Sequence, residues 1–405
     1  MSVVTLFSGI YCAADAVVRD VINSTGYRMI SDERIVDIAA ETSGMPQNKV
    51  WRAFSAKTSV FNKFTHEKEC SIACLRLALA TELEKGPAVV HGFSSLLVPR
   101  AISHVLRVCI IAEMPFRIEQ ATAAGVHSEK EALKQIHSRD TDSAIWVEML
   151  SGVKDPWDAG LYDIMLPMNR MDVAKAGALI EKNLVNDAVK RTDASKQAQE
   201  NFLLEATVEM ALSKAGHDVS VTVEKGAVRL TINKQVLMLS RLEEELKSIA
   251  GGIPGVQSVE TRIGKDFHQD HIYRKHSFEV PSRVLLVDDE REFVQTLSER
   301  LQLREMGSAV AYDGESALNL VNEDEPEVMI IDLKMPGIDG LEILRQVKTT
   351  RPEIEVIVLT GHGSEADRKK CMELGAFAYM QKPVDIDELS DALKMAHEKI
   401  RHIQS

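Results

Sequence analysis

Five side chains, each just beyond one of four short apolar runs, have the types and spacing for phosphoryl chemistry. Asp288 and Asp289 follow Val284 to Val287, and Asp332 follows Val328 to Ile331. Thr360 follows Val356 to Leu359, and Lys382 comes soon after Phe377 to Met380. A parallel strand buried on both faces is a continuous apolar run rather than an alternating one. In an open α/β sheet, ligands bind just beyond the carboxyl ends of the strands. Two adjacent acids at such an end repel each other unless a cation lies between them, and all-oxygen ligation suits Mg²⁺. Acid pair, acid, hydroxyl and amine fall in order at successive strand ends. One buried site built from them would hold a metal ion and a phosphoryl group.

The elements that must position these groups lie in residues 282–405. Strand and helix alternate five times there, which predicts a parallel sheet with right-handed crossovers. Helices are expected over 292–304, 314–322, 340–349, 365–374 and 386–400, with a turn-rich loop over 333–340. This segment resembles the response-regulator receiver domain, which is flavodoxin-like, a (βα)5 fold. The resemblance spans the segment and includes every motif. It implies that Asp332 accepts a phosphoryl group from a histidine kinase or a small acyl phosphate. Asp288, Asp289 and Asp332 would bind Mg²⁺, with the backbone carbonyl of Lys334 completing the protein ligands. Lys382 would pair with the phosphoryl oxygens and Thr360 would hydrogen-bond them. Pro383 would follow a cis peptide bond. Tyr379 would be the switch aromatic, moving inward when Thr360 is drawn to the phosphoryl group. Gly361 would leave phosphodonors access, while Lys334 and His362 would flank the site and tune the phosphoryl lifetime. Inert receivers usually lose an acid or the lysine, and none is lost here.

Global properties bound the rest. The chain has 405 residues, 45% hydrophobic and 27% charged, with a net charge of -13. That length suggests two to four domains. The negative charge, with no basic block, disfavours a nucleic-acid partner. Cys12, Cys70, Cys74, Cys109 and Cys371 show no pairing pattern, which fits a reducing compartment. Cys70 and Cys74 lie one helical turn apart and are read as small buried side chains rather than a zinc site. The start of the chain lacks the features of a signal peptide, and no apolar run reaches the ~20 residues of a membrane helix. A cytoplasmic location is expected.

Residues 1–195 open with a strand (3–7), a turn (8–12) and a helix (13–24), the order in which a phosphate-binding loop begins. Further strands are expected at 88–91, 105–112 and 163–168. Helices are expected over 115–123, over 128–136 with Ser128 and Glu131 as a capping box, and from Asp172 to 184. These pieces resemble the cytidylate-kinase-like branch of P-loop nucleoside monophosphate kinases. The likeness rests on Thr5-Leu6-Phe7-Ser8-Gly9, the Tyr27 to Ile35 segment, Val89-Val90-His91-Gly92, His104 to Val108, and Leu161 to Leu166. The chemistry departs from it. A working loop needs several glycines, a Lys for the β/γ-phosphates and a hydroxyl for Mg²⁺. Here Gly9 is the only glycine, Tyr11, Cys12, Ala13 and Ala14 fill the cradle, and Asp15 adds negative charge. The lid of such kinases is arginine-rich, whereas residues 138–146 keep only Arg139. A catalytically dead domain used for sensing or dimerisation is the favoured reading. Arg28, Arg34, Arg100 and Arg107 could receive a phosphate, but are read as helix-end and surface charges.

Residues 196–266 read helix, strand, strand, helix, strand. The first helix covers 201–215, the alternating strands centre on Val219 to Val223 and Val228 to Ile232, and Lys225-Gly226 turns between them. The second helix covers 237–250 and the last strand 256–263. The order, with Gly226 in the turn and Pro254-Gly255-Val256 before the last strand, resembles the BON domain, although Ile232-Asn233 stands where a glycine is usual. A ligand- or protein-binding spacer is implied. Residues 267–281, with His268, His271 and His276, read as a solvated linker.

Two functions follow. The first is a response regulator of a two-component phosphorelay, whose receiver controls N-terminal domains or a downstream protein. Its partners would be a sensor histidine kinase or phosphotransfer protein, and a homodimer formed through the face near Tyr379 is expected. The second is a nucleotide kinase or sensor gated by the receiver. The empty phosphate loop favours the first.

Overall fold

A computed structural model of the chain describes residues 2–236, 238–265, 267, 280–361 and 363–404. His268, His271, His276 and His362 lie outside the described residues. The chain forms two bodies. One holds residues 2–58, 68–214 and 219–265, and the other holds 59–67, 215–218 and 280 onward.

The first body is built on a five-stranded parallel sheet. Its spatial order is Arg28–Ser31, Ala88–His91, Val3–Ser8, Val105–Ile111, Ile164–Pro167. The strands are apolar on both faces because a core lies on each side. Val3, Phe7 and Val105 point into one core with Trp146, and Val4, Leu6 and Val108 into the other with Ile180. The order of pieces expected from the sequence is present, with additions. Strand Arg28–Ser31 and helices Asp32–Ser43 and Glu67–Leu83 fill the stretch between the first helix, Ala14–Thr25, and strand Ala88–His91.

The helix expected over 128–136 does not end there. A single helix runs Glu129–Ser151, so residues 138–146 lie inside it. No glycine or proline interrupts this stretch before Gly152, which ends the helix in the left-handed conformation (φ 72°). Ala132, Ile136, Ser143, Trp146 and Val147 face inward, one stripe along 23 residues. Ser128 caps it, accepting from the Glu131 N–H.

The small module begins earlier than expected, with helix Asp193–Lys214. Phe202, Ala206 and Met210 of this helix enter the core under the first sheet. Strand Ser220–Glu224 pairs antiparallel with Ala227–Ile232, which runs parallel to Ser258–Ile263. Lys225 and Gly226 turn between the first two with φ of 47° and 84°, as a two-residue hairpin turn of this twist requires.

The second body carries another five-stranded parallel sheet, ordered Ser308–Ala311, Val284–Val287, Val328–Ile331, Glu355–Thr360, Ala378–Gln381. Residues Val284 to Val287 and Val328 to Ile331 are all buried, as continuous apolar runs demand. The helices are Arg291–Gln302, Gly314–Glu323, Gly340–Thr350, Glu365–Glu373 and Ile386–Gln404. They cover both faces in two apolar clusters. Arg283, just before the second strand of this order, is buried between Asp324 (3.1 Å) and Glu67 (3.2 Å). Asp324 also accepts hydrogen bonds from the Ser59 hydroxyl and the Val60 N–H, both at 2.7 Å. These bonds tie residues 59–67 into this body. No helix among the described residues is long and apolar enough to cross a membrane.

Candidate phosphoacceptor site

Three carboxylates meet at the carboxyl edge of the second sheet. Asp288 and Asp332 are buried and Asp289 is exposed, and their oxygens lie within 4.8 Å of one another. Strands Val284–Val287 and Val328–Ile331 are adjacent and in register, which brings their following acids side by side. Among the described residues this is the one cluster of His, Cys, Asp and Glu close enough to share a cation. Cys70 and Cys74 join no such cluster, and the Cys74 sulfur packs 3.4 Å from that of Met210. Three hard oxygen donors of this kind suit a small divalent cation such as Mg²⁺.

Lys382 reaches the same point from strand Ala378–Gln381. Its Nζ lies 2.6 Å from Asp288 Oδ2 and 3.3 Å from Asp332 Oδ2. The Lys382–Pro383 peptide bond is cis. A third acid, Glu290, also touches Lys382 Nζ at 3.0 Å. Sequence reasoning did not single it out, although it completes the run Asp288-Asp289-Glu290. Burial acts to lower the Lys382 pKa, but hydrogen bonds to Asp288 and Glu290 outweigh it and hold the ammonium above the ordinary lysine value. Burial raises the Asp288 carboxyl, with Lys382 opposing. Phe293 stands under the ammonium, 4.4 Å from ring centre to Nζ.

Asp332 is aimed by its own backbone. One oxygen, Oδ1, accepts from the Leu333 N–H at 2.6 Å, and the other faces Lys382. Gly340 closes the loop beside it: a Cβ there would lie 2.0 Å from the Asp332 carbonyl oxygen. Thr360 ends the neighbouring strand fully buried, and its carbonyl accepts from the Lys382 N–H at 3.0 Å. The Tyr379 hydroxyl is buried with no hydrogen-bond partner among the described residues, against Gly363. Burial raises its pKa.

The phosphate-loop region of the first body is a cleft of about 720 Å³ whose lining includes Gly9, Tyr11, Asp15, Asp32, His91 and Arg139. Its loop is held by Arg117, a residue the sequence did not mark. Arg117 Nε donates to the Ile10 carbonyl at 2.9 Å, and its two terminal nitrogens grip Asp140 at 2.8 Å each. The guanidinium also lies over Gly9, where a Cβ would come within 3.1 Å of it. Asp15 is exposed, with His91 Nδ1 3.7 Å away. Arg139 stacks on Phe93 at 4.0 Å. Of the four arginines considered for phosphate, Arg28 and Arg34 both reach Glu82, at 3.2 and 3.8 Å. Arg100 and Arg107 lie elsewhere, around a separate cavity.

The model of the response regulator receiver domain matches residues 284–394, and that of the cytidylate kinase-like family matches residues 3–170. Response regulator MprA of Mycolicibacterium vanbaalenii is 36% identical over 110 residues, 27% of this chain and 48% of that protein. Response regulator MprA of Mycobacterium avium is 35% identical over 107 residues, 26% and 47% of the two chains. The chain thus spans about half the length of the curated relatives it matches. A solved receiver domain protein from Clostridium thermocellum is 33% identical, covering 30% of this chain and 97% of that one, with a TM-score of 0.29. The receiver domain of NtrX from Brucella abortus is 29% identical over 28% of this chain and 98% of that one, with a TM-score of 0.28. Residues 284–394 form a response regulator receiver domain of the two-component type, which follows a region, residues 3–170, matched by the cytidylate kinase-like family.

Proposed function

We propose that this chain is a phosphorelay response regulator in which Asp332 is the phosphoacceptor. The observation that carries the reading is Lys382 Nζ held between Asp288 and Asp332, 2.6 and 3.3 Å from their carboxylates, at the carboxyl edge of the sheet. In the proposed step an Asp332 oxygen attacks phosphorus, a new P–O bond forms, and the bond from phosphorus to the donor's nitrogen or oxygen breaks. The leaving group carries away the electron pair. Lys382 balances charge on the phosphoryl oxygens, and the Thr360 hydroxyl donates to one of them. Asp288, Asp289 and Asp332, with the Lys334 carbonyl, would hold Mg²⁺, which supplies the positive charge that lets a carboxylate approach an anionic phosphate. Tyr379 is the switch aromatic, its inward position stabilised when Thr360 is drawn toward the phosphoryl group. This is a two-state element biased by local charge.

Partners on this reading are a sensor histidine kinase or phosphotransfer protein upstream and a protein downstream. The first domain acts in recognition rather than phosphoryl transfer. Its loop has no lysine, and Arg117, the cation nearest Gly9, is engaged by Asp140.

The test is labelling with radioactive acetyl phosphate in Mg²⁺. The native chain should take up label, chelation of Mg²⁺ beforehand should prevent the uptake, and Asp332→Asn should take up none. Persistent labelling of Asp332→Asn would sink the assignment of the nucleophile. Titration of ATP and of CMP into the full chain should give no heat; micromolar binding of either would move the first domain back toward a nucleotide sensor.

A further inference from the structure

A second cavity in the first body, about 420 Å³, lies apart from both sites described above. Its size falls within the ~300–1,000 Å³ of small-molecule pockets. It opens under the face of the first sheet that carries Thr5, Phe7 and Arg107. One wall is aromatic. The rings of Phe7 and Tyr162 stand nearly parallel, 6° apart with centres separated by 6.4 Å, and Trp157 stacks on Phe7 at 5.6 Å. The rest of the wall is largely aliphatic, including Leu96, Val147 and Leu150.

Three guanidinium groups reach this apolar space, and only one is neutralised. Arg76 is paired with Glu205, the cavity's one carboxylate, and with Glu209 at 2.8 Å. Arg107 has no such partner. Among the described residues its terminal nitrogens donate only to backbone carbonyls, those of Pro99 (2.8 Å), Ile102 (3.4 Å) and Val105 (3.4 Å). The nearby Asp163 carboxylate accepts the Arg107 backbone N–H instead, at 2.7 Å. Arg100 donates to the Gly160 carbonyl at 2.8 Å and likewise forms no ion pair among the described residues. Asp163 offsets the Arg107 charge only through space, burial and Arg100 oppose it, and a half-buried cation with no carboxylate in contact is costly. A fold that keeps half-buried Arg107 and exposed Arg100 on the rim of one apolar cavity is matched to an anion that brings its own apolar surface.

We infer that this cavity binds a small organic anion with a flat, mostly apolar body, its ring lying along Phe7 and Tyr162 and its charge on Arg100 and Arg107. The chain would then carry a ligand input in its first domain that depends on neither the phosphate-loop cleft nor the acid cluster.

The test uses the full chain and two isosteric probes, 2-naphthoate and the neutral 2-naphthalenemethanol, read by titration calorimetry and by quenching of tryptophan emission. The carboxylate should bind, and the alcohol at least about tenfold more weakly, the worth of one charge-assisted hydrogen bond. Arg100→Gln changes an exposed side chain and so preserves the fold. It should weaken 2-naphthoate about tenfold and leave the alcohol unchanged. Leu150→Trp, which fills the cavity, should remove binding of both. Arg139→Gln, in the phosphate-loop cleft, should change neither. Absence of 2-naphthoate binding, equal affinity for the two probes, or insensitivity to Arg100→Gln would each overturn the inference.

Discussion

Lys382 Nζ lies nearer to Asp288 (2.6 Å) than to Asp332 (3.3 Å). The lysine therefore neutralises the acid pair as much as it awaits a phosphoryl group, and a divalent cation entering the cluster competes with it. Replacing Lys382 with Met leaves three carboxylates without that counter-charge, which favours a cation. Lys382→Met should bind Mg²⁺ about tenfold more tightly than the native chain, measured by calorimetry, while its labelled form no longer propagates a change at Tyr379. Weaker Mg²⁺ binding by this variant would mean that the lysine does not compete for the cluster.

The Tyr379 hydroxyl is buried and has no hydrogen-bond partner among the described residues. A buried donor without a partner costs about 1–3 kcal/mol. Removing it with Tyr379→Phe should stabilise the receiver by about 1 kcal/mol, seen as a rise of a few degrees in its melting temperature. A fall instead would show that the hydroxyl is bonded in solution.

A pH effect is expected in the first body. Burial pushes the Glu209 carboxyl up to about 7, with Arg76 opposing and Glu205 reinforcing the shift. An unfolded glutamate titrates near 4.5. Between these values the native chain holds a proton that the unfolded chain has released, so stability falls as pH rises through that window and levels off above it. The change is on the order of 1–3 kcal/mol. Glu209→Gln cannot titrate and should flatten the slope, measured by urea denaturation at pH 5 and pH 7.5. An unchanged slope would assign the titration to Glu205 or elsewhere.

The acid cluster and the receiver sheet were legible because each depends on local pattern. A continuous run such as Val328 to Ile331 signals a doubly covered strand, and the residue after it falls at the sheet edge whatever the rest does. Features that rest on distant partners were not legible. Arg117 lies 107 positions from Ile10, whose carbonyl it holds, and no local pattern announces that reach. Strand Ser308–Ala311 is a short edge strand, small and only partly apolar, and was not singled out. The polar run His137 to Ser143 reads as a break in helix Glu129–Ser151, yet only one stripe of that helix needs to be apolar. Arg107 looked like a surface charge because a strand's two faces cannot be told apart by one residue; the cavity beneath it is a property of the packed sheet.

The contact between Tyr379 and Gly363 permits a sharper test of the proposed switch. A Cβ at Gly363 would fall 1.5 Å from the Tyr379 hydroxyl and 2.9 Å from Thr360 Cγ2. No rotation of a methyl group relieves such an overlap, so Gly363→Ala must displace the ring or the loop. It should destabilise the receiver by about 1–3 kcal/mol, the usual cost of overpacking. If the displaced ring is the switch, Gly363→Ala holds it outward and should cut any response that acetyl phosphate evokes, while Asp332 still takes up label. Adding Tyr379→Phe removes the atom that collides first. The double variant should recover at least half of the lost stability, a coupling that only residues in contact display. Strictly additive effects of the two substitutions would place Tyr379 away from Gly363 in solution and remove the support for an inward ring.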